Sequence, residues 1–105
     1  MQQQLEISNW LDTLRKSRVI AVIRTQEVAV GLALANAIAA GGGRLIEVAW
    51  NSNQPAQLIE TLRDALPHCV IGCGTVLNQA DLQDAIAAGA QFGFMPHVEP
   101  DLIRY

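Results

Sequence analysis

Hydrophobic residues along the chain fall into two alternating patterns: short apolar runs, and longer stretches with apolar residues three or four apart. The short runs begin near residues 19, 45, 70 and 92 and are typical of buried strands, since turn residues bound them. The longer stretches predict amphipathic helices. The predicted order is a leading helix followed by four strand–helix units, the last of them truncated.

Capping and turn residues place the ends of these elements. The first strand is a β-branched run that we expect to be buried on both faces. Asn53 and Asn78 are expected to cap two helices, because a short polar side chain can accept hydrogen bonds from the free N–H groups of a first helical turn. With their caps, the predicted helices are 4–16, 27–40, 53–66 and 78–89, a further helix begins at 99–100, and the predicted strands are 19–23, 45–50, 70–73 and 92–95.

The regular alternation predicts an α/β fold with parallel strands and right-handed crossovers in a single domain, residues 1–105. Residues 37–41 recur unchanged as residues 85–89, each time before a strand. Either both segments form the same helix-to-strand turn, or they descend from a duplication. Four βα units, (βα)4, correspond to half of a TIM (β/α)8 barrel, and a small open flavodoxin-like sheet is the alternative.

Composition and charge narrow the class of protein. The formal net charge is −3 and the basic residues are scattered, so we expect neither a nucleic-acid partner nor an anionic-membrane surface. No secretory signal or apolar stretch of membrane-spanning length is recognisable, and a cytoplasmic location is expected. Cys69 and Cys73 are expected to be buried free thiols in that reducing compartment. No Cys/His set suggests a metal, and no cofactor is expected.

Glu47 is the most informative candidate for chemistry, because it interrupts the apolar run 45–50. Strand alternation places Ile46 and Val48 on one face and Glu47 on the other. An ionised carboxylate is rarely buried without a partner, since removing its charge from water is unfavourable. The second face is therefore a polar pocket, a catalytic interior or a site where the carboxylate is paired, unless Glu47 is a strand-edge residue that reaches solvent.

Reactive groups in parallel α/β folds collect at the carboxyl ends of the strands. In this chain those positions are Arg24, Thr25, Asn51, Ser52, Thr75, Pro96 and His97. A guanidinium and a hydroxyl beside a base would suit a small carboxylate substrate. Arg24 could equally be a solvated loop charge, Thr75 a turn or capping residue, and His97 an exposed loop histidine. Residues 72–75 lack the spacing of a nucleotide-binding loop, so their glycines are expected to permit close packing.

Four stretches together, residues 22–24, 40–48, 70–77 and 88–97, resemble a known family. It comprises the 2-keto-3-deoxy-6-phosphogluconate (KDPG) and 4-hydroxy-2-oxoglutarate (KHG) aldolases, class I lyases of carbohydrate metabolism with a (β/α)8 barrel. The resemblance implies Schiff-base retro-aldol cleavage to pyruvate and an aldehyde, with a pyruvate-type keto acid as the bound partner. It spans residues 10–105, and by length the chain resembles the amino-terminal half of such an enzyme.

The resemblance also implies roles for single residues. Glu47 matches the family's general acid/base, whose pKa burial should raise. Thr75 and Arg24 match positions that bind the pyruvate carboxylate, and Pro96 matches a proline at the rim of the site. Asn51 is a further substrate-binding candidate, at a position where many members have arginine. Met95 replaces a small residue and is expected to narrow the pocket.

One departure affects the chemistry. The family forms its Schiff base on a lysine of the sixth strand. The single lysine here, Lys16, precedes the first strand and is expected at the opposite end of the sheet. We therefore expect the isolated chain to be inactive. It is half of an aldolase, a half-barrel that pairs with itself or with a carboxyl-terminal half, or a non-catalytic keto-acid-binding protein; a homo-oligomer is expected.

Overall fold

The computed structural model describes residues 2–97 and 100–103, and its elements follow the predicted order. They are α1 (Gln2–Ser17), β1 (Ala21–Ile23), α2 (Val28–Ala40), β2 (Leu45–Ala49), α3 (Pro55–Ala65), β3 (Val70–Gly74), α4 (Gln79–Ala88) and α5 (Pro100–Ile103). The sheet has the order β1-β2-β3 with parallel neighbours. A flavodoxin-like sheet would have β1 between β2 and β3. The sequential order is that of half a (β/α)8 barrel, and this prediction is confirmed.

Helices α2, α3 and α4 pack on one face of the sheet. Ile46 and Val48 of β2 are fully buried in this layer, as strand alternation predicted. The same cluster contains residues from all three strands and from the three helices, namely Ile23, Ala35, Leu58, Ile59, Leu62, Ile71, Cys73 and Ala85. Both cysteines are buried free thiols, as predicted. One continuous core thus fixes the sheet and leaves its other face for chemistry.

The other face of the sheet is open around Val22 and Glu47, whereas Leu45 and Ala49 on the same face of β2 are buried. Val22 pairs in register with Glu47 and has 54% of its surface exposed, and Val19 is 68% exposed. The prediction that the first strand is buried on both faces was therefore wrong. A β-branched run indicates that a strand is buried, but it does not show whether one face or both faces are covered. No described helix covers Val22.

Helix ends follow local capping chemistry, with one correction. The Asn78 side chain accepts a hydrogen bond from the Asp81 N–H at 2.9 Å, which confirms the predicted cap of α4. Asn53 does not cap α3. Pro55 begins that helix, and Gln54 before it has φ 51° and takes the cap position without a side-chain bond. A proline at the first helical position fixes where the helix starts, one residue later than the asparagine implied.

The repeated segments 37–41 and 85–89 end their helices in the same type of turn. Each turn contains one left-handed glycine, Gly42 (φ 100°) and Gly89 (φ 105°). The residue after each glycine donates its N–H to the carbonyl five positions earlier, at 2.9 and 3.0 Å. The left-handed residue lies one position later in the first copy, so identical sequence gives the same turn in shifted register.

The predicted fourth strand is reduced to a single parallel bridge between Cys73 and Gly93. The ladder does not extend past Phe94, because β3 ends at Gly74 and Thr75 has a left-handed backbone. Ahead of the bridge, the regular pattern is broken at Gln91. Its N–H donates to the Ile71 carbonyl at 2.7 Å, while its side-chain oxygen accepts the Ile71 N–H at 2.9 Å. A side chain thus occupies a position where a regular ladder would use a backbone carbonyl. Strand 92–95 is corrected to one bridge at the β3 edge.

Candidate active site

Glu47 lies at the centre of the middle strand, on the open face, between Val22 and Gly72 in register. Its carboxyl group rests over Gly74. A Cβ atom placed on Gly74 would overlap the Glu47 Oε2 and Cδ atoms and lie 3.1 Å from Cγ. Only glycine leaves room for this side chain. At Gly72, a Cβ atom would lie 2.5 Å from ring carbons of Phe92, so both glycines permit close packing, as expected.

The electrostatics of Glu47 suit proton transfer. Partial burial raises the pKa of the Glu47 carboxyl, and the nearby Arg24 charge opposes part of that rise. Within residues 2–97 and 100–103, no donor forms a hydrogen bond or ion pair with this carboxyl. Glu47 is therefore neither an exposed edge residue nor a neutralised buried charge. A carboxyl group whose pKa is raised toward the working pH can act as both acid and base.

Arg24 and Asn51 meet at the carboxyl ends of β1 and β2. The Arg24 Nε donates to the Asn51 Oδ1 at 3.0 Å. The next residues also pair, because the N–H of Thr25 donates to the Ser52 Oγ at 3.1 Å and both residues are buried. The structure thus brings two of the predicted site residues, Arg24 and Asn51, into direct contact, and both side chains are exposed.

Thr75 follows β3 in a left-handed backbone conformation, with φ 57°. This conformation is rare for a β-branched residue and disfavoured by about 1–2 kcal/mol. Helix α4 is capped by Asn78, so capping does not explain Thr75. Strained residues cluster at functional sites, where the surrounding structure holds them.

The remaining candidates lie around the fourth-strand segment. Pro96 and His97 are exposed at its carboxyl end. Met95 lines an apolar cavity of about 410 Å³ together with Leu82 and Ile86 of α4. None of Arg24, Glu47 and Thr75 lines this cavity. Met95 therefore lies beside α4 instead of narrowing the space around Glu47.

An aromatic row on the open face was missed by the sequence reasoning. The rings of Trp10 and Phe92 stack with centroids 4.7 Å apart, and Phe94 follows at 5.5 Å. Alternation about Gly93 could have placed Phe92 and Phe94 on one face, but nothing in the sequence pairs Trp10 of α1 with them. Through the Trp10–Phe92 stack, α1 packs beside the face that carries Glu47.

Other chemistry is limited in the described part of the chain. Lys16 is in the last turn of α1, five residues before Ala21, the first residue of β1. Residues 2–97 and 100–103 contain no cluster of three His, Cys, Asp or Glu side chains that could hold a metal ion. Within the same ranges, no helix has the length and hydropathy needed to span a membrane.

Comparison with known proteins identifies relatives along nearly the whole chain. Residues 11–105 match the family described as KDPG and KHG aldolase. The 2-dehydro-3-deoxy-phosphogluconate aldolase of Pseudoalteromonas atlantica is 33% identical over 92 residues, which cover 88% of this chain and 43% of that protein. The chain spans about half the length of the curated relatives it matches.

Solved structures show the same relationship. The KDPG aldolase of Zymomonas mobilis superimposes with a TM-score of 0.79 and 31% identity, covering 87% of this chain and 44% of that one. The KDPG aldolase of Legionella pneumophila, solved with pyruvate captured at low pH as a covalent carbinolamine intermediate, gives a TM-score of 0.71 and 33% identity. That match covers 81% of this chain and 40% of the Legionella chain.

Proposed function

Because the chain belongs to the KDPG and KHG aldolase family, we propose that it supplies the acid/base half of a class I aldolase site. The reaction is retro-aldol cleavage of KDPG or KHG to pyruvate and an aldehyde. The observation that carries the proposal is the placement of Glu47 over Gly74 on the open face, with its pKa raised. A carboxyl group in that setting is suited to moving protons at a bound substrate.

In the proposed mechanism Glu47 acts as both acid and base. A lysine amine adds to the keto carbon, and the Glu47 carboxyl gives a proton to the carbinolamine hydroxyl, which leaves as water. The resulting Glu47 carboxylate takes the proton of the substrate's C4 hydroxyl as the C3–C4 bond breaks and the aldehyde leaves, and it gives this proton to the enamine carbon that becomes the pyruvate methyl group. Water then adds to the imine and returns a proton to Glu47, which releases pyruvate and the lysine amine. The captured carbinolamine of the Legionella relative supports this route. Lys16 lies at the amino end of β1, so the amine comes from a carboxyl-terminal half.

The substrate carboxylate is proposed to lie at the carboxyl ends of the strands. Arg24 offers a guanidinium whose charge acts on Glu47, and Thr75 offers a hydroxyl on the neighbouring strand end. Pro96 would form part of the rim, and Asn51 takes part through its contact with Arg24. Both buried thiols fit a reducing cytoplasm as the location.

A second candidate is a non-catalytic half-barrel that pairs with itself or binds keto acids. The outer edge of β1 has no strand partner among the described residues, and Val22 and Phe94 are exposed on or beside the open face. Exposed edges and apolar faces favour association. A homo-oligomer or a pairing with a carboxyl-terminal half would cover them.

The test combines the chain with the carboxyl-terminal half of a relative. Residues 1–105 are mixed with the carboxyl-terminal half of the Zymomonas mobilis aldolase, complex formation is checked by size exclusion, and pyruvate release from KDPG is measured. We expect activity that Glu47→Gln lowers about 100-fold or more, while Glu60→Gln, on the solvent-exposed side of α3, leaves it unchanged. A complex that is inactive, or equally active with Glu47→Gln, contradicts the proposal.

A further inference from the structure

Three consecutive residues after β2 hold the loop after β1 through hydrogen bonds. Asn51 accepts from the Arg24 side chain, and Ser52 accepts from the Thr25 N–H. Asn53 donates its N–H to the Thr25 carbonyl at 3.0 Å and its Nδ2 to the Gln26 carbonyl at 3.1 Å. Of these contacts, only the first involves a charged side chain. The others fix the backbone of the two loops, so Asn51 has a separate task.

The Asn51 contact orients the guanidinium without neutralising it. Arginine has five N–H donors in a planar fork, and Asn51 uses the one at Nε. Arg24 forms no ion pair with an acidic side chain in the described part of the chain. A neutral amide acceptor therefore leaves the full positive charge and the outer N–H groups for a carboxylate, which arginine binds with two parallel hydrogen bonds.

The position of Arg24 relative to Glu47 shows which face of the sheet the guanidinium serves. Val22 pairs in register with Glu47, and Arg24 follows Val22 by two residues, so strand alternation places Arg24 on the face that carries Glu47. The Arg24 charge also opposes the rise in the Glu47 pKa, which agrees with this placement. Asn51 projects from the loop that directly continues β2, the strand of Glu47. The amide thus links the charged group of one strand end to the strand that holds the acid/base.

Building on the proposed function, we propose that Asn51 is a positioning residue, which holds Arg24 so that the guanidinium, and not Asn51, binds the keto-acid carboxylate. A fixed guanidinium loses less conformational freedom when the substrate binds than a free arginine side chain does. Removing the amide should therefore weaken carboxylate binding through Arg24. An acidic residue at the same position should weaken it further, because it would pair with the charge.

The first test needs no ligand. The NMR signal of the Arg24 Nε–H group is compared in the wild-type chain, Asn51→Ala and the control Asn53→Ala, which loosens the same loops but does not touch Arg24. We expect a distinct, exchange-protected signal in the wild type and in Asn53→Ala, and a signal like that of the exposed arginines in Asn51→Ala. An unchanged signal in Asn51→Ala overturns the positioning role.

The second test uses oxamate, an unreactive analogue of pyruvate, titrated into the same chains. We expect Asn51→Ala to weaken oxamate binding about 10-fold, Asn51→Asp to weaken it more, and Asn53→Ala to stay within about 2-fold of the wild type. Binding lost in Arg24→Gln but unchanged in Asn51→Ala overturns the inference and leaves the proposed function intact. Binding unaffected by Arg24→Gln contradicts the carboxylate site of the proposed function itself.

Discussion

Replacing Gly74 with alanine tests the placement of Glu47 directly. The backbone at Gly74 lies outside the left-handed region, so alanine is compatible with it. The added Cβ atom would meet the Glu47 carboxyl group, and its three nearest neighbours are all atoms of Glu47. Since no other atom comes closer than 3.1 Å, the clash depends on Glu47 alone. Gly74→Ala should displace that side chain from its site.

The size of the effect follows from two opposing contributions. Overpacking destabilises a fold by about 1–3 kcal/mol, and the lower part applies because Glu47 can swing out over the open face. Alanine also restricts the unfolded chain, which stabilises the fold by about 0.4–1 kcal/mol. We expect Gly74→Ala to lower the free energy of unfolding by about 1 kcal/mol in the wild type. In a Glu47→Ala background the clash is gone, and the same change should raise it by about 0.5 kcal/mol.

Urea unfolding, followed through Trp10 and Trp50 fluorescence, measures all four chains of this double-mutant cycle. Gly41→Ala is the matched control, because its Cβ atom would meet only backbone oxygens at 3.6 Å. It should be neutral or slightly stabilising in both backgrounds. An equal effect of Gly74→Ala with and without the Glu47 side chain would refute the placement of the carboxyl group over Gly74.

Three further predictions follow from local chemistry. The raised Glu47 pKa means that the folded state binds the proton more tightly than the unfolded state does. Wild-type stability relative to Glu47→Gln should therefore fall as pH rises above 4.5, and urea unfolding across a pH series that shows no such fall would contradict this prediction. Asn78→Ala should lower the free energy of unfolding by about 1 kcal/mol through loss of the α4 cap, with recovery in Asn78→Ser, as thermal unfolding can measure. Burial and the Glu47 charge raise the pKa of Cys73 to about 11. Iodoacetamide at pH 8 should therefore label Cys73 far more slowly in the folded chain than in urea, as mass spectrometry can measure, and equal labelling rates would contradict its burial.

The sequence predicted what depends on local pattern. Alternation placed Glu47 opposite Ile46 and Val48, and the short polar side chain of Asn78 gave the start of α4. The start of α3 was predicted wrongly, because a neighbouring residue determines it. Pro55 moved the start of α3 past the cap expected at Asn53.

Contacts between distant segments had no local signal. The Arg24–Asn51 hydrogen bond joins residues 27 apart, and composition alone could not tell it from two solvated loop residues. The fourth strand is reduced to one bridge because β3 ends before the left-handed Thr75, and because the Gln91 side chain replaces a backbone partner ahead of the bridge. No hydrophobic period reports either feature. The chemistry of the candidate site thus rests on long-range contacts, while its scaffold rests on periodicity.

The central claim is that Glu47 is a protonatable carboxyl group on the open face, under the influence of Arg24. A carbon-detected NMR titration of the Glu47 carboxyl, in the wild-type chain and in Arg24→Gln, tests it most directly. We expect a wild-type midpoint above the ordinary value of 4.5, and a higher midpoint still in Arg24→Gln, because the opposing charge is removed. A midpoint at or below 4.5, or one that Arg24→Gln leaves unchanged, would contradict the account.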